Sequence, residues 1–258
     1  MPKSLRSLWA KIRLVWITTG ISATIVFVLW CLIAYRASAT AHAALKGNDA
    51  VQVSEGKHEW LFQPRNSSAS VGLLFYPGAL VDPVAYAPLL LAVANEGYPA
   101  ILVQVPRRGV LGGAEGAEPL NRGVAATLAV PSVHRWVVAG HSRGVEIAAR
   151  LASTRAPSIA GVVLIGSSHP RDFSIANIGL PVTRVYGTRD TVADFEKQQA
   201  TQRNLPPSTQ LVRIDGGNHS QFGSYGFQPG DWPATISRED QQRQTAAALV
   251  DMLHRIGG

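Results

Sequence analysis

The apolar positions of this chain follow two regimes. From Leu14 to Tyr35 they run almost unbroken as "LVWITTGISATIVFVLWCLIAY", 22 residues without a formal charge and without a polar face. A helix rising about 1.5 Å per residue over that length crosses a hydrocarbon layer of roughly 30 Å, so the pattern predicts a transmembrane segment. It is longer than the roughly 7–15 residues of a signal-peptide core, which favours a retained anchor. Small residues suited to cleavage do follow it, in "ASATAHA". Beyond residue 50 the apolar runs become short and alternate with helical spacing. "VQVSE" and "HEWLFQP" read as two antiparallel strands. "VGLLFYPG", "YPAILVQVP", "HRWVVAG", "IAGVVLIGSS", "VTRVYGT" and "TQLVRIDG" read as six more, apolar enough to be covered on both faces. Helical patterns lie between most of them, in "VAYAPLLLAVANEG", "GVEIAARLAS" and "ADFEKQQATQRN". A last helix opens at Ser237 and Asp240 with capping-box-like spacing and buries Leu249, Leu253 and Ile256. Strands alternating with helices predict an α/β fold, a mostly parallel central sheet with helices on both faces. The expected organisation is a basic tail (1–13), a transmembrane anchor (14–35), an Ala-rich tether (36–49) and one α/β domain (50–258).

Composition sharpens this in one respect. The net charge of +7 comes largely from Lys3, Arg6, Lys11, Arg13 and Arg36, in a stretch with no acidic residue; without them 19 basic residues face 17 acidic ones. The basic excess therefore belongs to the membrane end, and no nucleic-acid surface is expected on the domain. Four of those residues precede the apolar span, so the positive-inside bias places the N-terminus in the cytoplasm and the domain outside the cytoplasmic membrane. The single cysteine, Cys31, lies within the span, which leaves the domain no thiol nucleophile and no disulfide.

The chemistry centres on "GHSRG", where an apolar strand meets an amphipathic helix. A Ser at the tip of a tight strand-to-helix turn sits in a strained conformation, and the residues two before and two after it must be small for strand and helix to approach. The alternative is a Ser that merely caps the helix. A hydroxyl is a poor nucleophile at neutral pH and needs a base, itself oriented by a carboxylate. Asp190 follows the strand "VTRVYG", and His219 follows the last strand after a Gly-Gly-Asn turn. The order Ser142, Asp190, His219 is the one this type of sheet requires. Asp194 is the reserve for Asp190, whereas Asp215 lies too near its strand. His141 adjoins Ser142 and is expected to point away from the reacting centre. His169 is placed to line a pocket but precedes Asp190; His42, His58, His134 and His254 read as tether, surface and terminal-helix residues. Oxyanion donors are expected from the backbone N–H of Arg143, at the positive start of the helix, and of Ala79, in "FYPGALVDP". Pro77-Gly78 also reads as a simple turn. Phe222, Tyr225, Phe227 and Trp232 are candidate pocket walls or core. The Gly-rich stretch 106–121 lacks the ending of a phosphate-binding loop and reads as plain loop. No His, Asp and Glu cluster has the spacing of a metal site.

"FYPGALVDPVAYAPL", "GHSRG", "YGTRDTVAD" and "GGNHSQFGSYGFQPGD" together resemble the α/β-hydrolase superfamily, over about residues 50–256 and most closely its compact, capless members. The resemblance implies an eight-stranded type of sheet, reduced here if strands are missing, and a Ser-His-Asp hydrolase of carboxylic esters or related acyl compounds without a cofactor. Small-molecule or lipid-like esters are the implied substrates. An acyltransferase on the same triad and a non-catalytic binding module on the same fold are the competing readings. Two departures stand out: Val145 occupies a position where a second small residue often follows the elbow, and the interval before "VTRVYGT" is too short for a cap domain.

Overall fold

Successive residues of a strand face opposite ways, and the apolar runs here satisfy both sides of one sheet. In the computed structural model, which describes residues 3–258, β3 (Val71–Tyr76) is buried at every position. Leu73 and Phe75 join one core cluster while Leu74 and Tyr76 join a second on the opposite face. β1 (Val51–Glu55) and β2 (Glu59–Pro64) form the expected antiparallel pair. β4 (Ala100–Val103), β5 (Arg135–His141), β6 (Ile159–Ile165), β7 (Val182–Gly187) and β8 (Gln210–Ile214) complete eight strands, in the order β1-β2-β4-β3-β5-β6-β7-β8. From β4 to β8 every pairing is parallel, and β2 joins β4 antiparallel. The sheet has its full eight strands and is not reduced.

Helices cover both faces. α3 (Ala87–Asn95) and α7 (Arg238–Gly257) pack on the side of Leu73 and Phe75, through Leu90, Val93, Leu249 and Leu253. On the other side lie α4 (Glu118–Thr127) and α5 (Gly144–Ser153), through Ala126, Ile147 and Leu151. A one-turn 3-10 segment, Pro83–Tyr86, leads into α3. The polar helix predicted over 193–204 is shorter, with α6 confined to Phe195–Ala200 and a 3-10 turn after it. α4 begins inside the stretch read as plain loop. Its Gly123 sits where a Cβ would come within 2.0 Å of the Tyr76 hydroxyl. The helix packs closely through this missing side chain, with Pro119 and Ala126 buried on the same face.

The N-terminal apolar segment is one helix, α1 (Lys3–Ala34), long and apolar enough to cross a membrane, and its large apolar side chains stand exposed along most of its length. Its end is built into the domain. Tyr35 O accepts from Asp82 N at 2.9 Å, and Ala34 O accepts from Gly226 N at 2.7 Å. Ser38 N donates to Ser224 O at 2.8 Å, and Cys31 and Tyr35 are buried. The Ala-rich segment that follows folds into α2 (Ala39–Ala44), capped by the Ser38 hydroxyl, with Ala41 fully buried in the same cluster as α3.

Candidate active site

β5 ends at His141, and the chain turns at Ser142 with φ +53° before α5 begins at Gly144. For a residue with a Cβ this left-handed conformation costs on the order of 1–3 kcal/mol and persists only where the surroundings enforce it. They do so here from both sides. Ser142 N donates to Ile165 O at 2.9 Å, and its carbonyl accepts from Ser167 Oγ at 2.8 Å. A Cβ on Gly140 would lie 2.4 Å from the Gly144 carbonyl, and one on Gly144 2.2 Å from Tyr76 O. Both glycines are therefore required by contact. Val145 causes no crowding, because its side chain is buried in the core behind the turn.

Asp190 and His219 are brought together at the same end of the sheet. Asp190 Oδ1 accepts from Val192 N and Ala193 N at 3.0 and 2.8 Å, which fixes the carboxylate and leaves Oδ2 at 2.8 Å from His219 Nδ1. Both side chains are essentially sealed from solvent, at 0% and 1% exposure. A carboxylate on Nδ1 selects the tautomer with its proton there and a lone pair on Nε2. That Nε2 is buried and has no hydrogen-bond partner among the described residues, so no bond to Ser142 is formed. Apo geometries of this kind are commonly open and tighten on substrate binding. The rivals are otherwise engaged: Asp194 caps α6 at Lys197 N, and Asp215 is exposed and paired with Arg213.

Two positioning elements escaped the sequence reading. Asp231 folds back to accept from His219 N at 3.1 Å and from Ser220 N and Oγ at 2.8 and 2.9 Å, clamping the His219 turn from outside. Burial raises its carboxyl above the usual range, against the opposing pull of those hydrogen bonds. Gln241 of α7 holds the preceding residue both ways, accepting from Asn218 N at 3.0 Å and donating to Asn218 O at 2.6 Å. Its signal was available: Gln241, Thr245 and Leu249 are spaced by four, placing two polar residues on the buried stripe of α7.

His141 does not point away from the site, contrary to expectation. It continues the alternation of Val137 and Ala139 on the inner face of β5, which brings its ring 4.5 Å from that of His219 and 5.3 Å from Phe222. Its Nδ1 lies 2.7 Å from the Tyr86 hydroxyl, and that hydroxyl accepts from Gly78 N at 3.1 Å. Tyr86 thus fastens the loop carrying Ala79 to the strand end that leads into Ser142, and a Cβ on Gly78 would be 3.5 Å from Ser142 Cβ. Pro77-Gly78 is more than a simple turn. The N–H groups of Ala79 and Arg143 donate to no group of the described residues. Removing the bridge by Tyr86→Phe is expected to leave two buried polar groups unpaired, costing about 1–3 kcal/mol in a urea melt.

Of the other expected pocket walls, Phe222 and Tyr225 are buried, whereas Phe227 and Trp232 are more than half exposed. His169 is buried with Nδ1 at 3.6 Å from Glu146. Burial, reinforced by Arg171 and Arg143, pushes its imidazole down to about 4. Burial and then the neighbouring His219 push His141 well below the usual range. Both histidines take up protons near 6.5 in the unfolded chain but not in the native one, so stability is full above that pH and falls as pH drops below it. At His169 the excluded proton costs about 2 kcal/mol by about pH 5, with the nearby Asp172 opposing the effect. The urea midpoint is expected to fall steeply between neutral pH and about pH 5, and His141→Gln to flatten that slope.

Among the described residues no group of three or more His, Cys, Asp and Glu is placed to hold a metal ion. The sequence profile of the Alpha/beta hydrolase family matches residues 72–243. The chain belongs to that family. Its fold is shared with many solved structures at low sequence identity. A dienelactone hydrolase-like promiscuous phosphotriesterase from metagenomic libraries superposes with a TM-score of 0.59 at 17% identity, covering 81% of this chain and 97% of the other. A dienelactone hydrolase from Anabaena variabilis gives 0.59 at 15%, covering 81% and 100%. An esterase from Pyrococcus furiosus gives 0.57 at 17%, covering 82% and 90%. No curated protein matches the chain. The interval between β6 and β7 holds neither helix nor strand, consistent with a hydrolase domain that carries no cap there.

Proposed function

We propose that this hydrolase-fold protein is a membrane-anchored serine esterase in which Ser142, His219 and Asp190 act together. The observation that carries the reading is the buried His219–Asp190 pair, whose Nε2 is unpartnered, at the strand ends that hold the strained Ser142 turn. Ser142 Oγ attacks the ester carbonyl carbon while its proton passes to His219 Nε2, and Asp190 stabilises the imidazolium. The Ala79 and Arg143 N–H groups hold the oxyanion. Collapse breaks the bond to the alcohol, which leaves with the proton from His219. Water then adds to the acyl-enzyme through the same base and releases the acid and free Ser142. Hydrolysis of p-nitrophenyl esters by the purified protein, lost in Ser142→Ala, is the expected result; equal rates in the variant would refute the assignment.

α1 acts in this reading as a retained anchor. Cleavage in the small-residue run after it would strip Cys31 and Tyr35 from the core and break the bonds to Asp82 and Gly226, a loss that supports retention. Lys3, Arg6, Lys11 and Arg13 favour a cytoplasmic N-terminus, with the domain across the cytoplasmic membrane. Protease added to intact cells is expected to digest the domain; full protection would place it inside.

A further inference from the structure

The mechanism above makes no use of a groove between α1 and the loops beside Ser142. About 400 Å³ in volume, it is lined by Phe27, Val28 and Leu32 of α1 and, facing them, by Leu80, Val110 and Arg108. Four observations give it a direction. One of its wall residues belongs to the loop beside the site: Leu80 follows Ala79, and a Cβ on Gly78 in the same loop would lie 3.5 Å from Ser142 Cβ. Leu80 is held there at φ +66° by donation of its N–H to Arg108 O at 2.8 Å, so a residue that disfavours the left-handed region is kept on the groove wall. Its outer wall is the apolar helix itself, on which Phe27, Val28 and Leu32 remain about half exposed. The bonds from Ala34 and Tyr35 to Gly226 and Asp82 fix that helix against the domain, so the depth of the groove relative to the apolar span is set by the fold.

We propose that this groove receives the acyl chain of a membrane-resident ester, admitted sideways from the lipid leaflet along α1 so that the carbonyl comes to Ser142. This names a substrate class for the esterase reading and rests on it and on α1 lying in the membrane. A long chain gains contact that a short one lacks: each methylene buried on the way to the transition state raises kcat/KM about fourfold, from the ~0.8 kcal/mol of burying a CH₂. Soluble short esters reach Ser142 without using the groove.

The test has a binding arm and a kinetic arm, both on the full chain in lipid vesicles. In the first, a dodecanoyl ester with a diazirine near its chain end is photolysed with Ser142→Ala protein, and adducts are mapped by mass spectrometry. Adducts on Leu80 or Val110, which lie outside the apolar helix, are expected, reduced at least about fivefold in Val28→Trp and in Val110→Trp. Adducts confined to α1, or undiminished in both variants when their melting curves show them folded, overturn the groove. In the second, the ratio of kcat/KM for dodecanoyl over acetyl p-nitrophenyl ester is expected to exceed unity in the wild type and to fall about tenfold in either variant. A ratio unchanged by both variants also overturns it. If adducts form on Leu80 or Val110 while neither ester is hydrolysed, the esterase reading fails and the groove stands.

Discussion

Asp190→Asn is expected to lower kcat about 10⁴-fold while leaving the fold almost intact. The amide keeps an oxygen for Val192 N and Ala193 N, so the turn holding residue 190 survives. The NH₂ group then replaces Oδ2 opposite His219 Nδ1 and requires that nitrogen to accept. The imidazole proton moves to Nε2, where a base needs its lone pair. A buried pair that cannot exchange partners with water has no route around this, and both side chains here are closed to solvent. The measurement is kcat on a p-nitrophenyl ester beside a thermal melt. A loss of less than about tenfold with a normal melt would show that the pair does not act on the reaction.

The second large effect is on stability. Gly144→Ala, the smallest substitution available, would drive a Cβ to within 2.2 Å of Tyr76 O and 2.6 Å of Pro77 O, both backbone atoms at the end of β3. Neither can move without displacing the strand or the loop of the proposed oxyanion site. A cost of about 3 kcal/mol is expected, at the upper end of overpacking penalties. For a domain of this size that is about 6–12 °C in Tm. Gly161→Ala is the matched control, since its Cβ would meet only side chains, the nearest being the flexible Met252 sulphur at 3.1 Å. It is expected to cost no more than about 1 kcal/mol. Equal melting temperatures for the two variants would show that the turn is looser than these contacts imply.

The sequence made the sheet legible because its strands are short apolar runs with turn signals between them, and "GHSRG" legible because its glycines answer to contacts that any such turn must make. The edge pair β1 and β2 was visible for the same reason. What stayed hidden depends on contacts between distant segments. α4 docks through Gly123 under Tyr76, a contact that a glycine beside a Gly-rich loop does not announce. Asp231 lies in a Gly- and Pro-rich stretch where an Asp reads as turn chemistry, and only the fold-back of residues 219–231 shows that it holds His219. Adjacency to Ser142 does not turn His141 away from the site. The strand alternation set by Val137 and Ala139 turns it inward toward Tyr86 and His219, and that alternation was present in the sequence. The Ala-rich segment after the span has a capping Ser38 but few large apolar side chains, and its burial against α3 follows from small residues fitting closely.

The central claim is that Ser142 is a nucleophile activated by His219, and active-site labelling reaches it without knowledge of the substrate. A fluorophosphonate reacts with a serine only where a base removes its proton and donors stabilise the developing oxyanion. Intact mass and peptide mapping of the full chain after exposure to the reagent are expected to show one adduct, on Ser142. That adduct should be absent in Ser142→Ala and strongly slowed in His219→Ala. Folded protein that takes up no label, or takes it up on another residue, would contradict the account.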